Sequence, residues 1–219
     1  MSAVTTTPAT PTATTRTDLT RILRDAIVSG EYAPNQRLIE ADLSATYGAS
    51  RAAVRTALLE LGAEGLVDRL PNRGSRVRAI PLTEAIEILE VRMNLEGLCA
   101  AKAAAHITDP EIAELRQLRA DLLAAAQSDL FEYSRLNQLL DRRIRELAHH
   151  PTAVAILERL RAQGVRHQFR LAFYPGRAAV SAPEHAAIID AICARDAGAA
   201  EAATRAHLQS VVAALRTIG

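Results

Sequence analysis

From residue 81 to the C-terminus no stretch alternates apolar and polar residues as a strand would, so this larger part of the chain can fold only as packed helices. Apolar side chains recur there at helical spacing, interrupted at Thr108-Asp109-Pro110, Ser128-Asp129, His150-Pro151, Tyr174-Pro175-Gly176-Arg177 and Arg195-Asp196. These separators predict six helices, over roughly 83–106, 109–127, 130–149, 151–172, 181–194 and 197–217. Thr83 and Asp196 suit helix N-caps, and Asp109-Pro110 suits a helix start. Aromatic residues make up only 3% and Trp is absent, so the core must be Ala, Leu, Ile and Val. Ala-rich helices approach closely, and such a bundle has room for a pocket only where side chains shorten or turn polar.

The first 80 residues read differently. The opening MSAVTTTPATPTATT has neither a basic start nor an apolar run, and its Thr, Pro and Ala content predicts a disordered tail over 1–16. Leu19, Ile22, Leu23, Ala26 and Ile27 then form one helical stripe that ends at Gly30. A short helix is expected over Glu40–Tyr47 and a longer one from Ser50, its N-cap, to Glu64, with Val54, Ala57, Leu58 and Leu61 inward. Two alternating runs, Leu66–Leu70 and Ser75–Ile80, flank Pro71-Asn72-Arg73-Gly74 as a β-hairpin. Helix, helix, turn, helix, hairpin is the order of a winged helix-turn-helix. The fold class is therefore mainly α: a winged helix-turn-helix over 17–80, a hinge at Pro81-Leu82-Thr83, and an all-α six-helix bundle over 81–219.

Net charge is +1, and residues 16–80 hold ten Arg against eight acids, so bulk charge does not separate a nucleic-acid binder from other classes. Placement does. Arg51 and Arg55 lie one turn apart on the side of their helix opposite Val54, Leu58 and Leu61. At the start of a recognition helix those two can grip guanine edges or a phosphate pair, with Ser50 donating to phosphate. Asn72, Arg73 and Gly74 at the hairpin tip suit a minor groove, and Arg76 and Arg78 suit phosphates. Two Arg alone would be an ordinary solvated face; helix order, Arg pair and Arg-tipped hairpin together point to double-stranded DNA.

Those same residues carry a resemblance. Ala26 through Glu31, Pro34, Arg37-Leu38, Ser50-Arg51, Val54-Arg55, Ala57-Leu58, Leu61, Glu64 through Val67 and Pro71 through Gly74 are similar to the GntR family of bacterial regulators. Residues 84–215, from Glu90-Val91-Arg92 and Leu95-Glu96 onward, resemble the FCD effector domain of the FadR-type branch, and six helices resemble its VanR-like subgroup. The resemblance implies a homodimer, a repressor more often than an activator, that binds a short inverted repeat and responds to a small carboxylate in its helical domain; without a secretory signal or membrane span, a cytoplasmic protein is expected.

It also implies a divalent metal, since many members hold one with an Asp and a His four residues apart and two further His. His185 and His207 match the latter pair; Asn137 stands at the Asp position and Asp141 at the His position, both departures. Two imidazoles and one carboxylate suit zinc, nickel or manganese, with an amide oxygen a weak fourth ligand or a partner for metal-bound water. Asp141 has a competing use, pairing with Arg145 one turn on or with another Arg. Arg92, among Ile86, Leu89, Val91, Met93 and Leu95, needs an anionic partner. Either Glu96 at i+4 serves, or the bound effector does. His106, His149, His150 and His167 read as helix-end or surface residues.

Cys99 and Cys193 lie far apart in apolar helical contexts and predict buried thiols rather than a disulfide framework. No 18-residue apolar run exists, so no transmembrane helix is expected. A metallohydrolase or oxygenase is the competing class, against which no general base stands beside the expected ligands.

Overall fold

The computed structural model describes residues 16–70 and 74–218. Among them the element order is α1 (Arg16–Ser29), β1 (Arg37–Leu38), α2 (Glu40–Tyr47), α3 (Arg51–Ala63), β2 (Val67–Leu70) and β3 (Gly74–Val77). It continues with α4 (Leu82–His106), α5 (Asp109–Ser128), α6 (Leu130–Leu147), α7 (Pro151–Ala172), α8 (Arg177–Cys193) and α9 (Ala197–Ile218). The chain divides into two compact units between Ala79 and Ile80.

The first unit is three helices and a small sheet. Leu19, Leu23, Ala26 and Ile27 of α1 are buried with Val54, Ala57, Leu58 and Leu61 of α3. Along that seam Arg24 forks onto Glu64, with hydrogen bonds of 2.7 and 2.6 Å, and Thr20 donates to Glu60 at 2.7 Å. Ser50 caps α3 as expected, its hydroxyl accepting from the Ala53 amide at 3.2 Å. Between α2 and α3 the chain turns through Gly48 at φ +60°, and the Ala49 amide reaches back to the Ser44 carbonyl at 3.2 Å. The Gly48 amide donates to the same Ser44 carbonyl, so both amides of the turn close the end of α2.

The sheet has one strand more than the sequence predicts. Arg37–Leu38 pairs antiparallel with β3 in the order β1-β3-β2. Two residues are too short for any alternation to register. β3 also ends at Val77 rather than Ile80.

In the second unit α4 packs most extensively against α9, and α8 lies against both α5 and α9. Ala100, Ala103 and Ala104 of α4, Leu115 and Leu122 of α5, Leu136 and Leu140 of α6, and Ile188, Ile189 and Ile192 of α8 share one core. Caps stand where polar residues interrupt the pattern. The Thr108 amide donates to Glu111 at 2.9 Å, and Asp129 accepts from the amides of Phe131 and Glu132. Two boundaries differ from the sequence reading. α4 starts at Leu82 behind Pro81, leaving Thr83 inside the helix. α8 starts at Arg177, four residues early, because Pro183 lies within the helix instead of near its start.

Gly48 occupies a left-handed conformation, and a Cβ there would meet nothing within 4 Å. The cost of Gly48→Ala is then conformational alone, about 1 kcal/mol. Urea unfolding followed in the first unit should show that loss for Gly48→Ala and a smaller one for Gly48→Asn, since Asn tolerates this region better. Equal stability of all three proteins would contradict the turn geometry.

Candidate functional site

Burying Val54, Ala57, Leu58 and Leu61 forces the opposite side of α3 outward, and Ser50, Arg51, Ala52, Arg55 and Leu59 are exposed. Arg55, its side chain 60% exposed, forks onto Glu40 at the start of α2 with hydrogen bonds of 3.1 and 2.9 Å. That bond holds the Glu40 carboxyl below its ordinary range, and the charges of Arg69 and Arg51 act in the same direction. Three arginines thus share a surface around a single carboxylate. Arg69, on β2, was not singled out in the sequence reading. The signal was available: neighbouring strand residues face opposite sides, so Asp68 and Arg69 cannot do the same job.

Asp68 takes the other two arginines. Arg76 reaches it at 3.1 Å and Arg78 at 3.8 Å, so the expected phosphate contacts are engaged within the sheet. Gly74 opens β3 with φ +82° and is exposed. Asn72 and Arg73 lie outside the described residues, as does the tail over 1–15.

The second unit contains a pocket between four of its helices. Its walls are Glu96 and Cys99 of α4, Leu140, Asp141, Ile144 and Arg145 of α6, His185 and Ile188 of α8, and Thr204 and His207 of α9. It measures about 410 Å³, open mouth included. His185 and His207, far apart in sequence, stand with ring centroids 4.4 Å apart. Each is oriented through Nδ1. That of His185 hydrogen-bonds the Tyr133 hydroxyl at 3.0 Å, and that of His207 meets Glu184 at 2.7 Å. Glu184 in turn accepts from Arg177 at 3.0 Å, and Arg177 also donates to Ser210 at 2.8 Å. Burial, with the neighbouring His207 second, pushes His185 down to about 3, so this ring is neutral. Burial likewise raises the Tyr133 phenol to about 12.

Asp141 also lines the pocket but is spoken for. Arg161 of α7 donates to it at 2.5 Å. Burial opposes its ionisation, yet Arg161, His185, Arg92 and Arg145 together hold the carboxyl down at about 2. The competing use named from the sequence, an arginine partner, is the one observed, though with Arg161 rather than Arg145. Arg92 donates to Glu96 at 2.8 Å and is almost wholly buried, the structural alternative of the two. It is not among the residues lining the pocket.

Asn137, one turn before Asp141, has a buried Oδ1 with no hydrogen-bond partner among the described residues, an acceptor that a water satisfies as well as a cation does. Among the described residues no group of three His, Cys, Asp or Glu is arranged to hold a metal ion. Asn137, Asp141, His185 and His207 therefore do not fit a resident divalent ion as they stand. The one carboxylate of the set is held by a guanidinium, and two further arginines bear on it.

A model of the gntR family of bacterial regulatory proteins matches residues 15–77, and a model of the FCD domain matches residues 87–210. The chain is a member of the GntR family. It joins the GntR winged helix-turn-helix to an FCD domain, and it is a DNA-binding transcriptional regulator rather than an enzyme. It is 28% identical over 209 residues to the transcriptional repressor RspR of Escherichia coli K12, covering 95% of this chain and 92% of that protein. An HTH-type regulator from an unstable DNA locus of Streptomyces ambofaciens is 31% identical over 214 residues, covering 90% and 84%. The fold is shared with Escherichia coli McbR/YncC, at a TM-score of 0.75 and 23% identity over 93% of this chain and 97% of that one. A GntR regulator of Rhodococcus sp. RHA1 shares it at 0.71 and 23%, covering 93% and 98%. Among the described residues no helix is long and apolar enough to cross a membrane.

The neutral, buried His185 makes stability depend on pH. Its folded value near 3 lies below the ordinary 6.5, so between these values the unfolded chain binds a proton that the folded chain does not. Stability is complete above about pH 6.5 and falls on acidification, by up to about 1.4 kcal/mol per pH unit. Urea midpoints between pH 7.5 and 5, taken with a chelator present, should fall for the native chain and fall less for His185→Gln. Parallel curves would refute the buried neutral imidazole.

Proposed function

We propose that this GntR-family chain acts in the cytoplasm as a homodimeric repressor. Two copies of α3 read a short inverted repeat, and a small carboxylate in the FCD pocket changes the affinity for it. The observation that carries the DNA half is the exposed arginine surface of α3: Arg51 and Arg55 point to solvent, with Arg69 beside them around Glu40. The guanidinium of Arg55 is held ready by a carboxylate that a phosphate or a guanine edge can replace. Ser50 serves twice, as the cap of α3 and as a phosphate donor. Asn72, Arg73 and Gly74 of the wing enter the adjoining minor groove. RspR is named a repressor, which favours that sign here.

Two histidines, two carboxylates and an arginine converging on one partly open cavity support the effector half. Six helices after the wing support a place in the FadR-type branch and its VanR-like subgroup. The expected zinc, nickel or manganese finds His185 and His207 side by side but no free carboxylate, so the proposed switch is not routed through it. A coupling of about 1–3 kcal/mol between pocket and DNA is enough to change occupancy some 5- to 150-fold.

A fragment enriched from a random DNA library by the native protein provides the test. Arg51→Ala and Arg55→Ala should each weaken binding to it by roughly ten- to a hundredfold in fluorescence anisotropy, with less effect on unrelated DNA. An equal loss on all sequences would assign the pair to phosphates. Failure to enrich any sequence at low salt, or native affinity in the double variant, would overturn the DNA reading.

A further inference from the structure

The charges around the FCD pocket do not balance. Glu96 and Asp141 are its two wall carboxylates, and each already has an arginine: Arg92 for Glu96, with hydrogen-bond and ion-pair distances of 2.8 and 2.7 Å, and Arg161 for Asp141. Arg161 also stands 4.0 Å from Glu96. The third arginine, Arg145, lines the same cavity from α6 and is half-buried. Among the described residues it has no hydrogen bond and no ion pair. Burial and the neighbouring Arg161 both work against its charge, and the opposing influence of Asp141, Glu96 and the exposed Glu158 is weaker.

A guanidinium drawn partly out of water without a partner is an unfavourable arrangement, and one anion from solution relieves it. Arginine suits a carboxylate for this purpose, since its planar fork matches both oxygens at once. The rest of the wall fits the remainder of such a molecule. Leu140, Ile144 and Ile188 offer an apolar surface for a short carbon chain beside the cation.

We propose that Arg145 is the residue that grips the effector's carboxylate, and that the Arg161–Asp141 pair occupies the electrostatic place of a metal, so the pocket takes a small aliphatic carboxylate without one. This deepens, and rests on, the reading of the pocket as the effector site. A divalent ion would need the Asp141 carboxylate, and Arg161 holds it. The departures at positions 137 and 141 are then parts of one exchange: the positive charge that orients an acidic ligand comes from side chains. Of the two partners expected for Arg92, Glu96 and the ligand, it takes Glu96 and braces that wall carboxylate from behind.

The test uses the full-length protein, stripped with EDTA, and linear C2–C6 mono- and dicarboxylates followed by calorimetry and thermal shift. At least one should bind and raise the melting temperature in EDTA, and added zinc, nickel or manganese should leave its affinity unchanged. Arg145→Gln should weaken that binding tenfold or more, with its ligand-free melting temperature near native. Arg145→Lys should retain part, and Arg135→Gln, on the exposed side of the same helix, should bind as the native chain does. Binding that vanishes in EDTA and returns with metal would overturn the proposal and leave the effector reading intact, as would native affinity in Arg145→Gln. If no carboxylate binds the native chain with or without metal, the effector reading itself fails.

Discussion

A helix packed along one side must present the other side to water, and the N-terminal unit rests on that constraint at α3. Val54, Ala57, Leu58 and Leu61 are inside because α1 offers Leu19, Leu23, Ala26 and Ile27 to meet them. With that stripe buried, Arg51 and Arg55 have only one direction left. The bridges from Arg24 to Glu64 and from Thr20 to Glu60 close the edge of the seam and fix the helix about its axis. Gly48 supplies a left-handed turn between α2 and α3, and Glu40 stands against Arg55. The polar surface is therefore a by-product of apolar packing.

Inside the helical bundle a different rule governs. Small residues let α4 sit close to its neighbours, and a charge admitted there must find an opposite charge or be left unstable. The paired groups fall into two sets. One runs from Arg177 through Glu184 to His207 and orients an imidazole; the other joins Arg92 with Glu96 and Arg161 with Asp141 across three helices. Both sets end at the same cavity. This convergence of desolvated groups is what supports the proposed effector site.

Much of this was legible beforehand, and for identifiable reasons. Helix positions in the bundle followed from periodicity because Thr108, Asp129 and Asp196 interrupt it where caps belong. Ser50 read correctly as a cap because its hydroxyl stands three residues before the amide it serves. The histidine pair at 185 and 207 was suggested by the family resemblance, and the two rings do meet. What escaped was the company these groups keep. Nothing in the order of residues links Arg161 to Asp141, Tyr133 to His185, or Glu184 to His207 and Arg177 at once. Arg69 was passed over although strand alternation separates it from Asp68, and β1 escaped because two residues are too few to alternate.

The sequence by itself determined the two-part architecture, the outward face of α3 and the family, because each depends on local spacing: intervals of three or four for helices, glycines at turns, and a motif read in order. Only the tertiary structure decided how charges are shared. Partners there come from α4, α6, α7, α8 and α9, and which guanidinium reaches which carboxylate depends on how those helices rotate and approach. That is why Asp141 could be read as a ligand from the chain alone, yet stands as the counter-ion of an arginine twenty residues away.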